Sequence, residues 1–552
     1  MSSLLEWPQV ARDVVAEREA SIPADLRLSP EFVARYPAGS DVLDAAAASG
    51  LMSEKELQLT DPSNDATAIL SAIKTKNATA VEVLTAFMKR AAIAHQLLCC
   101  LTQVFFEEGL ARAKELDEYY EKTGDLIGPL HGLPISVKDH LGLKGKRATG
   151  GFSGDLDRLI STEHAPVNQI LWDAGCVFYC KTTLPQAIMH LETHSFWGQT
   201  LNPHNTGLTS GGSSGGCGAL VAFGGSPLSI GTDIGGSLRS PASCCGIYTL
   251  KPTTKRLPSN SLRGCSSVPG NEAIIATCGP LARSSRDIVL FFQVILKVQP
   301  WLQNMSLVPL PWKPEGVRWS GSGGKIRLGV MWDDGNVLPQ PPVRRALNAM
   351  VAALRKTGNF DIMDYNPKYH QELTVMAQSL YFTDGGASVR ARAAATGEPL
   401  CDLTEWVITL PGVKDRSSHQ LWELLLERDA LRAKYYLHWN TQNIDVLLCP
   451  AQYGAAQPLQ TTKYWGYTSV FNCVDFPAAV FPTGLKANAS LDPKDSDSRE
   501  PWSEADAYSA AIYDPLLSNN APLSLQLVSK RHADEVVMQA LQEIETVLPL
   551  RD

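Results

Sequence analysis

Hydrophobic side chains recur at helical spacing through residues 65–124. Thr79 is followed three positions later by Glu82, the arrangement of a capping box at the start of a helix. Apolar side chains then return every three to four residues, at Val81, Leu84, Phe87, Met88 and Ala91. This spacing predicts amphipathic helices, and we expect residues 1–60 to form a helical arm that precedes them.

A different pattern follows between residues 132 and 300, where short apolar runs alternate with helix-like segments. The runs with strand character are LPISV, CVFYC, PLSIGTDI and GIYTL, and the segments with helical character are 162–174 and 284–297. Such alternation is typical of an α/β fold in which helices cover a sheet.

The last third of the chain continues this alternation. The proline-rich tract 305–325 predicts a connection, after which KIRLGVMW predicts a strand and 342–356 a helix. Strand-like IDVLLCP, AAVFP and PLSLQLV follow, with a long helical segment before them and another after. We therefore predict one large α/β domain over residues 61–552. Residues 488–515 are polar and charged, which predicts a surface loop without chemistry.

Composition narrows the class of protein. Hydrophobic residues make up 44% and charged residues 19% of the 552 residues, as in ordinary soluble globular proteins. The 49 Lys and Arg against 57 Asp and Glu give a net charge of −8 without a basic run, so we expect no nucleic-acid partner. The longest apolar stretch, 288–296, is far shorter than the roughly 20 residues of a membrane span. The N-terminus lacks a secretory pattern, so we expect a cytoplasmic protein that does not bind membranes.

The cysteines do not indicate a disulfide framework or a metal centre. Twelve cysteines are sparse for 552 residues, and several lie in apolar runs, as small core residues do. The sequence contains no paired CxxC motifs and no HExxH motif. We predict reduced thiols, no metal and no cofactor.

Candidate chemistry concentrates in the glycine-rich segment TSGGSSGGCGALVAFGGSPLSIGTDIGGSLR. Ser213–Ser214 and Ser237 stand in it, and glycine around a serine lets backbone N–H groups approach a ligand closely. A phosphate-binding P-loop would need a lysine after the glycines, which is missing. Residues 211–215 fit the GxSxG pattern of a nucleophile elbow, but the preceding NPHNTGLTS does not read as a strand. Ser237 follows the strand-like PLSIGTDI and is the better candidate nucleophile.

Lys138 is the candidate base. It ends the apolar run of GLPISVKDHL, a position that favours burial. A lysine removed from water loses preference for its charged form and can accept a proton near neutral pH. The alternative is a surface lysine paired with Asp139.

Three segments, PISVKD, GGSSGG and GTDIGGSLRSPASCCGIYTLKPT, resemble in order and spacing the defining motifs of the amidase signature enzymes. The likeness covers most of residues 60–300. It continues in GNVLPQPP (335–342) and KYWGYTSVFNCVDFP (463–477), which are most similar to fungal acetamidases and general amidases. The resemblance implies a large mixed β-sheet covered by helices on both sides.

The resemblance also implies roles for individual residues. Ser237 is the nucleophile, Ser213 the bridging serine of a Ser–cis-Ser–Lys triad, and Lys138 the base. The remaining implied roles are an oxyanion hole of the main-chain N–H groups of Ile234, Gly235, Gly236 and Ser237, structural support around the triad from Ser214, Thr232, Asp233 and Arg239, and substrate contacts from Met189 and Ser213.

Some residues near the motifs depart from the family pattern or have no part in it. Cys217 stands where many relatives carry an acidic residue, which puts the polarity around the triad in doubt. Asp233 and Arg239 also fit a plain ion pair. No role follows for the nearby histidines, which are His131, His140, His190 and His194.

The implied function is hydrolysis of a carboxamide to a carboxylic acid and ammonia or amine, through an acyl-enzyme. Small aliphatic amides such as acetamide are the first expectation, and indole-3-acetamide or a secondary-metabolite amide is the alternative. Two other classes stay open: a transamidation subunit that depends on a partner, and a catalytically silent scaffold. The resemblance further implies a possible homodimer.

Overall fold

A computed structural model describes residues 7–156, 159–259, 270–496 and 498–548. Its helices are α1 Trp7–Ala20, α2 Pro30–Val33, α3 Ala45–Ala48, α4 Glu54–Thr60, α5 Ala66–Lys74, α6 Ala80–Leu98, α7 Phe106–Thr123, α8 Pro166–Asp173, α9 Gly215–Phe223, α10 Arg239–Cys245, α11 Ser285–Lys297, α12 Pro341–Thr357, α13 His370–Tyr381, α14 Ala387–Ala394, α15 Asp402–Ile408, α16 Ser418–Gln442, α17 Gly466–Cys473, α18 Glu504–Ile512 and α19 Asp534–Val547.

The strands are β1 Leu101–Val104, β2 Pro134–Lys138, β3 Val177–Thr182, β4 His194–Ser195, β5 Gly198–Gln199, β6 Leu201–Asn202, β7 Asn205–Thr209, β8 Leu228–Asp233, β9 Tyr248–Lys251, β10 Thr277–Ala282, β11 Ile326–Val330, β12 Phe360–Asp364, β13 Val446–Pro450, β14 Ala478–Lys486 and β15 Pro522–Val528. Eleven of them form one sheet in the order β1-β3-β2-β8-β10-β9-β14-β15-β13-β11-β12. The pairs β2–β3, β2–β8, β11–β12 and β11–β13 are parallel and the others antiparallel, so the sheet is mixed.

Helices cover both faces of this sheet. In β14, Ala479 and Phe481 belong to an apolar cluster that also contains core residues of α11 and α19. Val480, between them, packs instead with Val221 of α9 and Ala242 of α10. Because successive strand residues point to opposite faces, the two clusters lie on opposite sides. The predicted α/β class and the mixed, two-sided sheet are confirmed.

The N-terminal arm is helical where it is described and lies against the core. Helices α1 to α4 fall within residues 7–60, and Arg18 of α1 donates hydrogen bonds to the carbonyls of Leu101 and Trp197, at 3.2 and 3.1 Å. Val14 packs against Trp197. Whether the domain boundary falls at residue 60 stays a prediction.

Several local predictions need correction. The region 65–124 is not wholly helical, because the short strand β1 lies between α6 and α7 and pairs with β3. Residues 488–515 are not loop throughout, since α18 lies among them with Asp506 and Ser509 buried. A strand, β7, does precede the GGSSGG motif, although it pairs with β6 in a separate hairpin and lies outside the eleven-stranded sheet.

Two further observations bear on the predicted class of protein. Within the described part of the chain, none of the helices combines the length and apolarity that crossing a bilayer requires. The cysteines in the described ranges are free thiols, as predicted.

Candidate active site

Lys138 is the last residue of β2, the third strand from one edge of the sheet, which runs parallel to β8. The register pairs Val137 with Ile230, so Lys138 ends beside the last residues of β8. Its side chain is fully buried. Lys138 Nζ lies 2.7 Å from Ser213 Oγ and 3.1 Å from Thr232 Oγ1, and both contacts are hydrogen bonds. The alternative of a surface lysine is therefore wrong.

Burial changes the acid–base chemistry of this lysine. It lowers the pKa of Lys138 to about 7, against opposing interactions with Cys217, Asp233 and Asp139. Near neutral pH a large fraction of the amines is then unprotonated. A neutral Nζ carries a lone pair that can accept the proton of the Ser213 hydroxyl.

The glycine-rich loop brings Ser213 and Ser214 to the start of α9. The peptide bond between Gly212 and Ser213 is cis. Ser214 Oγ lies within hydrogen-bond distance of the main chain of Thr232, and the Ser214 N–H donates to the carbonyl of Ser237 at 3.1 Å. The glycine-rich loop is therefore hydrogen-bonded both to the end of β8 and to Ser237.

Ser237 follows β8 and precedes α10, as the strand-then-helix pattern predicts. The residue is 2% exposed. Among the described residues, its hydroxyl makes no hydrogen bond with Ser213 or Lys138, and its link to the glycine-rich loop is the main-chain bond from Ser214. The structure thus brings Lys138 and Ser213 into direct contact and Ser237 next to them through the backbone.

The predicted oxyanion segment, 234–237, has one N–H group already engaged. The Gly236 N–H donates to Asp233 Oδ1 at 2.9 Å. The N–H groups of Ile234, Gly235 and Ser237 make no hydrogen bond within the described residues. As far as the described residues go, three of the four expected donors are thus free to meet a ligand, and Gly236 is held by Asp233.

Asp233 and Arg239 form a fully buried ion pair. Arg239 Nε and Nη2 each lie 3.0 Å from an Asp233 oxygen, and Leu238 N–H and Asn472 Nδ2 donate to the same carboxylate. Although burial opposes it, the Arg239 charge holds the pKa of Asp233 well below its usual range. The pair fixes the backbone turn that carries Ser237.

Comparison with known proteins decides the family. The model of the family described as Amidase matches residues 82–538. The chain belongs to the amidase family. A Schizosaccharomyces pombe protein with an amidase name is 43% identical over 99% of this chain and all of that protein. The acetamidase of Emericella nidulans is 34% identical over 98% of each chain.

The solved structures agree with the family. A structure of fatty acid amide hydrolase superposes on this amidase with a TM-score of 0.91 at 33% identity, covering 98% of this chain and 95% of the other. The predicted amidase signature fold is confirmed, and the protein is an amide hydrolase. The open alternative of a catalytically silent scaffold loses its support.

Apolar side chains of this amidase surround the oxyanion segment. The predicted substrate-contact residue Met189 is buried in the same cluster as Tyr381 and Trp465, against which Ile234 packs. Trp465 Cε3 would lie 3.8 Å from a Cβ placed on Gly235. The wall beside the predicted oxyanion segment is therefore strongly aromatic.

Two further neighbours of the Lys138 amine, His140 and Cys217, are also buried. His140, for which no role was expected, has Nε2 at 3.3 Å from Thr232 Oγ1, the hydroxyl that contacts Lys138. Burial, with the nearby Lys138 charge, holds the pKa of His140 well below its usual value, so the ring is neutral. Burial raises the pKa of Cys217, so its thiol also stays neutral beside Lys138.

The sequence did not indicate Tyr381, Thr468 or Asn472, although all three contact the 233–235 segment. Tyr381 and Thr468 lie 147 and 233 residues from their partners along the chain. Thr468 and Asn472 lie in KYWGYTSVFNCVDFP. The likeness of this segment to fungal amidases was the signal that could have indicated them. No comparable signal pointed to Tyr381.

Proposed function

We propose that this amidase cleaves carboxamides through an acyl-enzyme on Ser237, with Ser213 and Lys138 moving the protons. The observation that carries the proposal is the 2.7 Å contact between the buried Lys138 Nζ and Ser213 Oγ, beside a loop bonded to the main chain of Ser237. Catalytic hydrogen bonds are often long before substrate binds, so the unbonded Ser237 hydroxyl is compatible with this relay.

In the acylation step, Ser237 Oγ forms a bond to the amide carbon. Its proton passes to Ser213 Oγ while the Ser213 proton passes to neutral Lys138 Nζ. The tetrahedral intermediate then breaks its C–N bond, and the proton returns through Ser213 to the leaving nitrogen. Water attacks the acyl-enzyme by the same relay and releases the carboxylic acid, which restores Ser237.

The negative oxygen of each tetrahedral intermediate needs donors. We propose the N–H groups of Ile234, Gly235 and Ser237 for this role, because they are not engaged within the described residues. One such donor typically contributes about 3–4 kcal/mol to lowering the barrier. Gly236, whose N–H bonds to Asp233, holds the turn instead.

We propose small aliphatic amides such as acetamide as the substrates. The likeness to the Emericella nidulans acetamidase over 98% of both chains supports this choice. The buried rings of Tyr381 and Trp465 also stand against the nucleophile segment and restrict the width of an acyl group there.

Aromatic acyl groups, as in indole-3-acetamide, are a second candidate substrate class. The observation that favours them is a group of three rings that includes Trp465. The centroid of the Trp465 ring lies 5.9 Å from that of Tyr381 and 5.8 Å from that of Trp406, which it meets edge to face. Planar groups pack well against such rings.

A substrate panel on the purified protein separates the two classes. We expect kcat/KM to be highest for acetamide and propionamide and at least about tenfold lower for indole-3-acetamide, a difference of about 1.4 kcal/mol. The reverse order would favour the aromatic class. If Trp465 restricts the acyl group as proposed, Trp465→Ala should raise the rate on indole-3-acetamide relative to the rate on acetamide.

Variants of the relay test the chemistry itself. Lys138→Ala and Ser237→Ala should each lower kcat on the order of 10⁴-fold or more with the circular dichroism spectrum unchanged, and Ser213→Ala should retain more activity. Wild-type rates in Lys138→Ala would contradict the relay. Activity of the isolated polypeptide without partner or nucleotide would exclude the partner-dependent transamidation alternative.

A further inference from the structure

Two side chains from distant parts of the chain bind carbonyl groups of residues 233–237, the nucleophile segment. The Tyr381 hydroxyl donates to the carbonyl of Ile234 at 2.9 Å. Thr468 Oγ1 donates to the carbonyl of Gly235 at 2.6 Å. These carbonyls belong to two successive peptide units between Asp233 and Ser237, the units that also carry the N–H groups of Gly235 and Gly236.

A planar trans peptide points its C=O and its N–H in opposite directions. Both units are trans, because Gly212–Ser213 is the cis bond among the described residues. Fixing a carbonyl therefore fixes the direction of the N–H of the next residue. Thr468 aims the Gly236 N–H, which reaches Asp233 on the opposite side. Tyr381 aims the Gly235 N–H, which has no partner within the described residues.

Tyr381 is suited to hold this peptide rigidly. It ends α13, is 4% exposed, and its ring packs against Trp465. Burial raises the pKa of the Tyr381 phenol well above its usual value, so the hydroxyl remains a donor at any working pH. The close approach also requires glycine at 235, because a Cβ there would stand 2.9 Å from the Tyr381 oxygen.

We propose that Tyr381 is a positioning residue of the oxyanion hole: its hydroxyl orients the Ile234–Gly235 peptide so that the Gly235 N–H faces the oxygen that becomes negative. This inference rests on the proposed function, since it assigns Gly235 N–H to that hole. Tyr381 itself does not contact the reacting atoms. Its effect is on the transition state, where the charge on that oxygen is largest.

Tyr381→Phe removes the hydroxyl and keeps the ring. We expect kcat to fall between about 10- and 100-fold, because losing a hole donor outright costs about 10²–10³-fold and misaiming one costs less. KM for acetamide should change less than about threefold, since the neutral carbonyl of the substrate depends little on the hole. The midpoint of the pH–rate profile, set by Lys138, should not move.

Trifluoroacetone supplies a second readout. Attack by Ser237 Oγ on its carbonyl carbon leaves a negative oxygen in the hole, as in the transition state. Its inhibition constant in Tyr381→Phe should therefore rise by about the same factor as kcat/KM falls. Each rate is divided by the concentration of protein that a fluorophosphonate labels on Ser237. Unfolded protein therefore does not lower the measured kcat.

Tyr435→Phe is the matched control. Tyr435 is fully buried and its hydroxyl bonds with Tyr365 and His370, away from the nucleophile segment. It should keep wild-type kcat and inhibition constant. An unchanged kcat in Tyr381→Phe, or a raised KM with kcat unchanged, would overturn the positioning role. The proposed function fails by a different result, namely an active Ser237→Ala.

Discussion

Lys138 can act as a base near neutral pH because its burial lowers its pKa. Because its pKa is lowered to about 7, the neutral form increases as pH rises through that value. We therefore expect kcat/KM to rise with pH, with a midpoint near 7 and well below the roughly 10.4 of a free lysine. Initial rates on acetamide between pH 5 and 10 check this. A profile that is flat across neutral pH would contradict the assignment of the base.

Cys217 sets part of that midpoint. Burial raises the pKa of its thiol, so near neutral pH Cys217 opposes the lowered pKa of Lys138 far less than the permanent charge of an aspartate there would. Cys217→Asp should therefore move the rising limb to higher pH by about 1–3 pH units, and Cys217→Ser should leave it in place. The pH–rate profiles of both variants measure this shift, and an unmoved limb in Cys217→Asp would refute it.

The fully buried pair of Asp233 and Arg239 is costly to break. Asp233→Asn leaves Arg239 charged and buried, which should reduce the free energy of unfolding by about 3–5 kcal/mol. Lys55→Ala is the control, because Lys55 and Glu82 form an exposed pair, which contributes at most about 1 kcal/mol. Urea unfolding of both variants compares the two. Equal midpoints would show that Asp233 does not hold the turn.

At the scale of elements, α9 depends on the absence of side chains at its start. A Cβ on Gly216 would stand 2.5 Å from the Thr183 nitrogen and 2.6 Å from the Cys100 carbonyl oxygen. Gly216→Ala should thus displace the loop of Ser213 and lower stability by about 1–3 kcal/mol. Gly316→Ala, with nothing within 4 Å, is the control. Thermal unfolding and acetamide turnover report the result, and an unaffected Gly216→Ala would show that α9 can shift freely.

The sequence predicted elements well where a pattern was long or a cap was present. The capping box of Thr79 and Glu82 forms as expected at the start of α6. Strand β1, four residues between two helices, is too short to show a period and was missed. In the site, local motifs indicated Lys138 and the serines, whereas the contact of Tyr381 with Ile234 arises only from tertiary packing.

At the scale of the whole molecule, we expect the described arm and the core to unfold together. Arg18 of α1 donates to two carbonyls of the core, and its removal takes a buried, charged donor away from both of them. Arg18→Ala should lower the unfolding temperature, while Arg12→Ala, on the exposed side of the same helix, should not. Scanning calorimetry should show one transition. A separate early transition would mean that the arm folds independently.

The central claim is that Ser237 is the nucleophile, and covalent labelling tests it most directly. The wild-type protein, Ser213→Ala and Ser237→Ala are each treated with a fluorophosphonate and analysed by intact and peptide mass spectrometry. We predict a single adduct on the peptide that contains Ser237, formed fastest in the wild type and absent from Ser237→Ala. An adduct on Ser213, or one that persists in Ser237→Ala, would contradict the assignment.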